Sequence, residues 1–304
     1  MEIINLTKKN LKVDKKDVGG KSLPIMEMAS KGIPVPISYS VGYEFFESHL
    51  KDIGFWDKIN IKFLTKNNSN LQSEINRARK MINNSDLSLQ LLKQIDLIKN
   101  KSDFWAVRSS ANIEDSKNKS WAGGFESYIG IKNNDIGEYI KKVWASVFAD
   151  RVVNYLDKPS EIEKIKMGVL LQEAINSDVS GVCFTRDPFE DDSDEMVIEA
   201  VFGIGEYLVQ GEVIPDRYLV DKEDLILLEV NFNEQSEKLK FFRNNDLKKV
   251  KNTKSKKQKL SGKQIIELAK VCKKIEEFYK NSRDIEWCFG CDKIYILQSR
   301  PITT

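Results

Sequence analysis

Asp284-Ile285-Glu286-Trp287 and Tyr295-Ile296-Leu297-Gln298-Ser299-Arg300-Pro301 are two apolar-rich runs separated by a short turn at Gly290 to Lys293. Folded back on each other as a hairpin that closes near Asp292, they place Glu286 opposite Gln298, with Arg300 two residues further on. One strand face then carries an acid, an amide and a guanidinium. Core-facing strands normally exclude such groups, because burying them without partners costs several kcal/mol. A bound ion or polyanion accounts for them, and an oxygen-ligated magnesium with a phosphate chain fits. The alternative is a sheet edge with solvated polar side chains.

Outward from this hairpin, the chain of 304 residues (35.0 kDa) is long enough to bury a sizeable core in one large domain or two modest ones. Its residues are 41% hydrophobic and 31% charged, and its charges nearly cancel at +2. That balance gives no electrostatic case for nucleic acid or an anionic membrane. No apolar run approaches the roughly 18 residues needed to span a bilayer. The first residues, Met1-Glu2-Ile3-Ile4-Asn5, lack a signal-peptide pattern, so the expected location is the cytoplasm.

Four cysteines in a chain of this length suggest reduced thiols. Cys288 and Cys291 have C-x-x-C spacing but straddle the hairpin turn and lack a second such pair, so zinc or redox chemistry is not expected of them. The single histidine, His49, lies on a helical stretch and is expected at the surface.

Periodicity organises the rest. Val18-Gly19-Gly20 is a glycine turn opening a helix from about Ser22 to Lys31, with Lys21 at its amino end. Residues 43 to 100 are helical in pattern and read as a covering layer. Phe104-Trp105-Ala106-Val107 is a strand ending abruptly in Arg108-Ser109-Ser110, and a second strand spans Ser127 to Ile131. Met167 to Glu173 reads as a buried strand paired with Gly181 to Thr185, and Met196 to Val201 as another. Seven of the twelve residues from Lys248 to Lys259 are lysine, expected as a solvated hairpin or loop. Ser261 and Gln264 form a capping box for a helix to about Tyr279. Strands come as hairpin pairs rather than a βαβ series, which predicts an α+β fold with mixed, largely antiparallel sheets in two lobes, 1–165 and 166–304.

Several polar residues sit where these strands and turns end. Lys21 follows two glycines at a helix start, where free N–H groups already favour an anion; an ordinary surface lysine is the alternative. Arg108 must emerge into a cleft, bind an anion, or pair with Glu114 or Asp115. Gly123 and Gly124 permit close backbone approach and Ser127 offers a hydroxyl, as phosphate-cradling loops require. Gln172-Glu173 closes a strand and can hold an adenine, or is simply a strand end. Glu199, buried by pattern, needs a partner such as a ribose hydroxyl, a metal-bound water or Lys21.

Taken together these segments resemble the nucleotide-binding domain of the phosphoenolpyruvate synthase, pyruvate phosphate dikinase and rifampicin phosphotransferase family. The matching stretches are Gly19-Gly20-Lys21, Gly32 to Pro36, Ala106 to Ala111, Glu114-Asp115, Trp121-Ala122-Gly123, Ser180-Gly181-Val182, Gly203 to Glu206, Pro215 to Tyr218, Asp284 to Trp287 and Leu297 to Pro301, in family order. The resemblance implies an ATP-grasp-like fold whose two lobes clasp ATP. By position, Lys21 and Arg108 would bind phosphates, Gly123 and Ser127 would line the phosphate loop and Gln172 would lie at the adenine. Glu286 and Gln298 would hold Mg2+, and Arg300 would stabilise the phosphoryl group in flight.

Two positions depart from the pattern: the family usually has threonine where Ser127 stands and glutamine where Gly124 stands. Family enzymes also continue past the segment matching Arg300-Pro301 into a domain whose histidine takes the phosphate. His49 is in none of the matching motifs. The resemblance therefore implies a phosphotransferase module of the dikinase type that works with a phosphohistidine carrier domain or subunit. A stand-alone ATP-dependent small-molecule kinase or ligase, and a non-catalytic nucleotide-binding regulator, are the alternatives.

Overall fold

The computed structural model describes every residue except 9, 10, 12, 14, 65–67, 114–123, 189–193, 243–244 and 303–304. The chain is α+β and divides into two compact units, residues 1–26 with 37–174 and residues 27–36 with 175–304.

The first unit is built on a five-stranded sheet of β1 (Ile4–Asn5), β2 (Ser38–Val41), β3 (Phe104–Ala111), β4 (Ser127–Lys132) and β5 (Met167–Glu173), in the order β1-β2-β5-β3-β4. Every neighbouring pair is antiparallel. Alternation splits its residues by face. Tyr39, Val41, Trp105, Val107, Val169 and Leu171 join the core with side chains from the helices Tyr43–Asp52, Leu71–Asn83, Leu89–Ile98 and Ile136–Ala145. Ile75, Ala78 and Ile82, at helical spacing, are the fully buried stripe of the second of these helices. Ser88 caps the third by accepting from the Leu91 N–H at 3.3 Å.

His49 belongs to this core rather than to the surface. It is 5% exposed, with its ring 5.0 Å from that of Trp144 and its Nε2 2.8 Å from Ser85 Oγ. The polar partner lets an imidazole occupy a buried helix face, and burial lowers its pKa, helped by Lys141.

The second unit is built on a six-stranded antiparallel sheet of β6 (Val179–Phe184), β7 (Glu195–Phe202), β8 (Asp216–Asp221) and β9 (Leu227–Asn231), with β12 (Arg283–Gly290) and β13 (Lys293–Pro301). Its order is β13-β12-β6-β7-β8-β9, and β10 (Glu237–Phe242) with β11 (Asn245–Lys251) forms a separate hairpin. The helix Gly262–Tyr279 covers one face with Ile265, Leu268, Ala269, Cys272 and Ile275 buried. Its amino end carries the expected capping box, Ser261 with Gln264. Residues 27–36 belong here through Tyr279 Oη donating to Glu27, Lys274 Nζ to the Lys31 carbonyl and the Ile296 N–H to the Pro34 carbonyl.

Two pairings differ from expectation. β5 does not pair with β6: it lies between β2 and β3, while β6 lies between β12 and β7. Both are apolar runs whose two edges are satisfied by longer-range partners, and the first unit therefore runs to Ala174 rather than to residue 165. The lysine run also divides. Part of it forms β11, whereas Lys259 is buried, its ammonium 2.6 Å from Asp216 Oδ1 and 2.6 Å from the Asn233 carbonyl. Asp216 also accepts from the Lys259 N–H and Tyr218 Oη, so this buried pair has the extra hydrogen bonds that such a pair needs. Among the described residues no helix is long and apolar enough to cross a membrane.

Candidate functional site

In the first unit, the sheet face away from the helix-covered core is polar. Cross-strand partners share a face, so Ser40, Leu170, Arg108 and Ser127 form one row across four strands, and Ser38, Gln172 and Ala106 form the next. Arg108 is half-buried in a strand otherwise fully buried, Ser127 is exposed, and Gln172 is 2% exposed.

The glycine turn is laid against this face by hydroxyls. Ser40 Oγ and Ser110 Oγ both donate to the Val18 carbonyl, at 3.1 and 3.2 Å, and the Ser22 N–H donates to Ser110 Oγ at 3.1 Å. Gly19 has φ 86° and sits so close to the Ser110 carbonyl that a Cβ would collide with it. Glycine is required there twice over, by backbone angle and by contact. The turn delivers Lys21 to the end of β3, where its ammonium donates to Ser109 Oγ at 2.9 Å, at the amino end of the helix Ser22–Ser30.

Ser127 opens β4 beside an anchored loop. Glu126 pairs with Arg79 at 3.0 Å and accepts from Tyr128 Oη, while Arg151 Nε donates to the Gly124 carbonyl at 2.8 Å. Gly123, Glu114 and Asp115 lie outside the described residues.

In the second unit, the sheet face away from the helix Gly262–Tyr279 is also polar. Gln298, Glu286, Val182, Glu199 and Arg217 are successive cross-strand partners, and Arg300, Asp284 and Phe184 form the next row. The hairpin reaches the expected pairing of Glu286 with Gln298 by two devices. Cys291 and Asp292 both have positive φ, 51° and 58°, as a two-residue hairpin turn requires, and a bulge at Glu286/Trp287 then shifts the register by one. Without the bulge Leu297 would stand opposite Glu286 and Gln298 would turn to the other face. Cys288 is buried and Cys291 exposed at the turn, unbonded to each other.

This face is electrostatically strained. Burial raises the Glu199 carboxyl above its ordinary pKa, with Arg217 opposing, and Arg217 in turn pairs with Asp187 at 2.9 Å. Burial likewise raises Asp284, opposed by Arg300, which donates through Nε at 2.8 Å and stands at 2.7 Å through a second nitrogen. The side-chain carbonyl oxygen of Gln298 is buried with no hydrogen-bond partner among the described residues. A buried acceptor of this kind is costly unless something outside the protein fills it. An amide oxygen beside the paired Glu286 and the neighbouring Asp284 is a donor set suited to a hard, oxygen-seeking cation. Among the described residues no cluster of three or more His, Cys, Asp or Glu is arranged to hold a metal by itself.

The face thus brings together Glu286, Gln298 and Arg300, as the sequence predicts, sets Glu199, the acid read as needing a partner, in the same row opposite Arg217, and adds Asp284. Arg217 falls in the matching stretch Pro215 to Tyr218 but is given no role there: it joins the row only through the strand order β12-β6-β7-β8. In the first unit the parts of Ser40 and Ser110 in fixing the turn, and of Ser109 in accepting from Lys21, likewise emerge only from the fold.

Comparison with known proteins identifies the family of the chain. Residues 15–304 match the family described as pyruvate phosphate dikinase, AMP/ATP-binding domain. The chain is 32% identical over 301 residues to a probable phosphoenolpyruvate synthase of Methanocaldococcus jannaschii, covering 94% of this chain and 25% of that protein. It is 33% identical over 311 residues to a probable phosphoenolpyruvate synthase of Archaeoglobus fulgidus, covering 96% of this chain and 41% of the other. It is also 33% identical over 306 residues to the rifampicin phosphotransferase of Bacillus cereus, covering 94% and 34%. The chain therefore spans about a quarter to two-fifths of the length of these relatives. With the match running from residue 15 to residue 304, the chain belongs to the pyruvate phosphate dikinase AMP/ATP-binding domain family.

Proposed function

We propose that this chain is the ATP-binding phosphotransferase module of a phosphoenolpyruvate synthase or pyruvate phosphate dikinase type of enzyme, with an ATP-grasp fold, passing phosphate from ATP to a histidine on a separate domain or subunit. Lys21 and Arg108 bind the phosphates, with Ser127 and the loop before it, Gly123 included, lining them, and Gln172 contacts the adenine. Glu286 and Gln298 hold Mg2+, which supplies charge neutralisation to the phosphates. Arg300 stabilises charge on the phosphoryl group as it leaves ADP or AMP. The same reading puts the chain in the cytoplasm, where ATP is available.

The observation that carries this reading is the buried, unpartnered carbonyl oxygen of Gln298 directly across the strand pair from Glu286. It supports a cation-binding role for that pair in a family already defined by its nucleotide. The first unit adds a lysine presented by a glycine turn at a helix start, where backbone N–H groups favour anions. Chemistry of this type works by positioning and charge neutralisation, so cationic and metal-binding residues are expected to outnumber acid–base groups in the site.

The test is to incubate the chain with Mg·ATP, alone and with a histidine-bearing domain from a phosphoenolpyruvate synthase, and to resolve AMP from ADP. Histidine-dependent transfer of the pyrophosphoryl group is expected, giving AMP and a pyrophosphohistidine that loses its outer phosphoryl group to water as inorganic phosphate and leaves a phosphohistidine. ADP formed on a small substrate with no histidine protein present would replace this reading with a stand-alone kinase or ligase.

A further inference from the structure

Two stretches of the sequence, Ser180-Gly181-Val182 and Gly203 to Glu206, meet at a corner of the second unit to which the nucleotide gives no part. The Gly203 carbonyl accepts from the buried hydroxyls of Ser177 and Ser180, at 2.9 and 2.7 Å, and the Gly203 N–H donates to the Asp178 carbonyl at 2.8 Å. Gly203 has φ 84°, and a Cβ there would collide with the Leu239 carbonyl and stand 3.1 Å from Lys238 Cβ. Glycine is what lets β10 dock so closely. Asn176 fixes the strand further, bonding both the N–H and the carbonyl of Phe241 at 3.3 Å.

This rigid corner gathers ammonium groups. Leu239 and Phe241 are buried on the inner face of β10, so the alternate residues Lys238 and Lys240 share its outer face. Lys248 stands directly opposite Lys240 across the hairpin. Lys254 lies in the turn after β11, where its N–H donates to the buried Asn252 side chain at 3.1 Å. Lys238 is half-buried, and that burial, with Lys240 and Lys254 beside it, pulls its pKa below the ordinary lysine value. Asp178, 3.6 Å from Lys240, opposes the shift. Like charges held this close cost energy unless an anion joins them. Among these described groups, three ammonium groups face one carboxylate.

We infer that Lys238, Lys240 and Lys254 form a binding site for a phosphate dianion, free or as the headgroup of a phosphate monoester, separate from the phosphates of the nucleotide. The excess of positive charge matches a dianion, and ammonium groups make strong charge-assisted hydrogen bonds to phosphate oxygens. β6 leaves the corner at Val179 and meets Glu286 only at Val182, about 10 Å further along the strand, so an anion held here does not share the row of Glu286 and Gln298. The ammonium groups converge on one corner instead of tracking a groove, which favours a small anion over a polynucleotide strand.

Calorimetric titration of inorganic phosphate and of glycerol 3-phosphate tests this, in an Arg108→Ala chain so that the cationic face of the first unit does not compete. Both ligands are expected to bind. Lys240→Met and Lys254→Met should each weaken binding about tenfold, the worth of one hydrogen bond to a charged group, while Lys270→Met, on the helix Gly262–Tyr279, leaves it unchanged. Tighter binding of the ester identifies a monoester as the natural ligand, and equal binding identifies free phosphate. Should Lys240→Met disturb the circular dichroism spectrum, Lys254→Met, at an exposed position, carries the test. The ε-carbon resonance of Lys238, identified by its absence from Lys238→Arg, gives a local readout: it should titrate below the ordinary lysine range without phosphate and move up when phosphate is added. No phosphate binding by the Arg108→Ala chain would overturn the inference. So would binding indifferent to Lys240→Met and Lys254→Met, or an equal loss in Lys270→Met. An RNA oligonucleotide bound through these lysines, with inorganic phosphate unbound, would replace the small-anion site with a nucleic-acid surface.

Discussion

The two units solve the same structural problem with opposite chemistry. Each has a sheet with one helix-covered apolar face and one polar face, but the first unit fills its polar face with hydroxyls, an arginine and a lysine-bearing turn, and the second fills its face with carboxylates, an amide and two arginines that pair with acids. The first is held together by neutral hydrogen bonds: Ser40 and Ser110 fix the turn before Lys21 without burying a charge. The second holds buried charge in tension, with Glu199 and Asp284 raised in pKa and Gln298 left with an open acceptor. Taken separately, the first face offers cationic groups suited to an anion, and the second offers carboxylate and amide oxygens suited to a hard cation.

The largest effect expected from breaking this contrast is catalytic. Glu286→Ala and Arg300→Ala should each lower turnover of ATP by about 10²- to 10³-fold, the usual cost of removing a preorganised electrostatic group. Melting temperature should hold, because both side chains lie on the partly open polar face. Coincident loss of folding and activity in circular dichroism and rate assays would make these residues structural instead. Next in size is Lys259→Met, which leaves Asp216 buried and unpaired and should destabilise the second unit by about 3–5 kcal/mol in denaturant titrations. The first unit's nearest equivalent is Gly19→Ala, where strain at positive φ and the clash with the Ser110 carbonyl should cost about 1–3 kcal/mol and misplace Lys21. Weakened ATP binding beyond the loss of stability would distinguish displacement of the turn from simple unfolding.

The smallest effect is a pH dependence carried in the second unit by Glu199. Glu199 has a folded pKa raised above its unfolded value, so the native state takes up the proton first. Its ionisation costs stability above that raised pKa, and the cost is relieved as pH falls through it toward the ordinary carboxylate range. Glu199→Gln should therefore melt higher than the wild type at neutral pH, with the gap closing on acidification. A gap that widens on acidification would reverse the sign assigned to burial.

How far the sequence reveals this contrast depends on the range of the interactions involved. The hairpin from Asp284 to Pro301 is legible because its turn is local and its apolar residues alternate, and the helix from Gly262 to Tyr279 because its cap and stripe lie within one segment. The partners of β5 and β6 are not, since two adjacent apolar runs look like a hairpin until strands far along the chain claim their edges. Lys259 looks solvated because its neighbours are lysines; only Asp216, far away in sequence, makes it a core residue. His49 misleads for the same reason, its partners Ser85 and Trp144 arriving from the bend after one helix and from another helix. Of the candidate site, residue types at strand ends and glycine turns are readable locally. The rows that align Arg217 and Glu199 with Glu286 exist only once strand order is known.

Calorimetric titration of Mg·ATP into the wild-type chain, Arg108→Ala and Glu286→Ala separates phosphate binding from metal binding. The wild type is expected to bind, Arg108→Ala to weaken binding whether or not magnesium is present, and Glu286→Ala to weaken it only when magnesium is present. Equal affinity in all three proteins, or a loss in Glu286→Ala that persists without magnesium, would contradict the division of labour between the cationic and the acidic face.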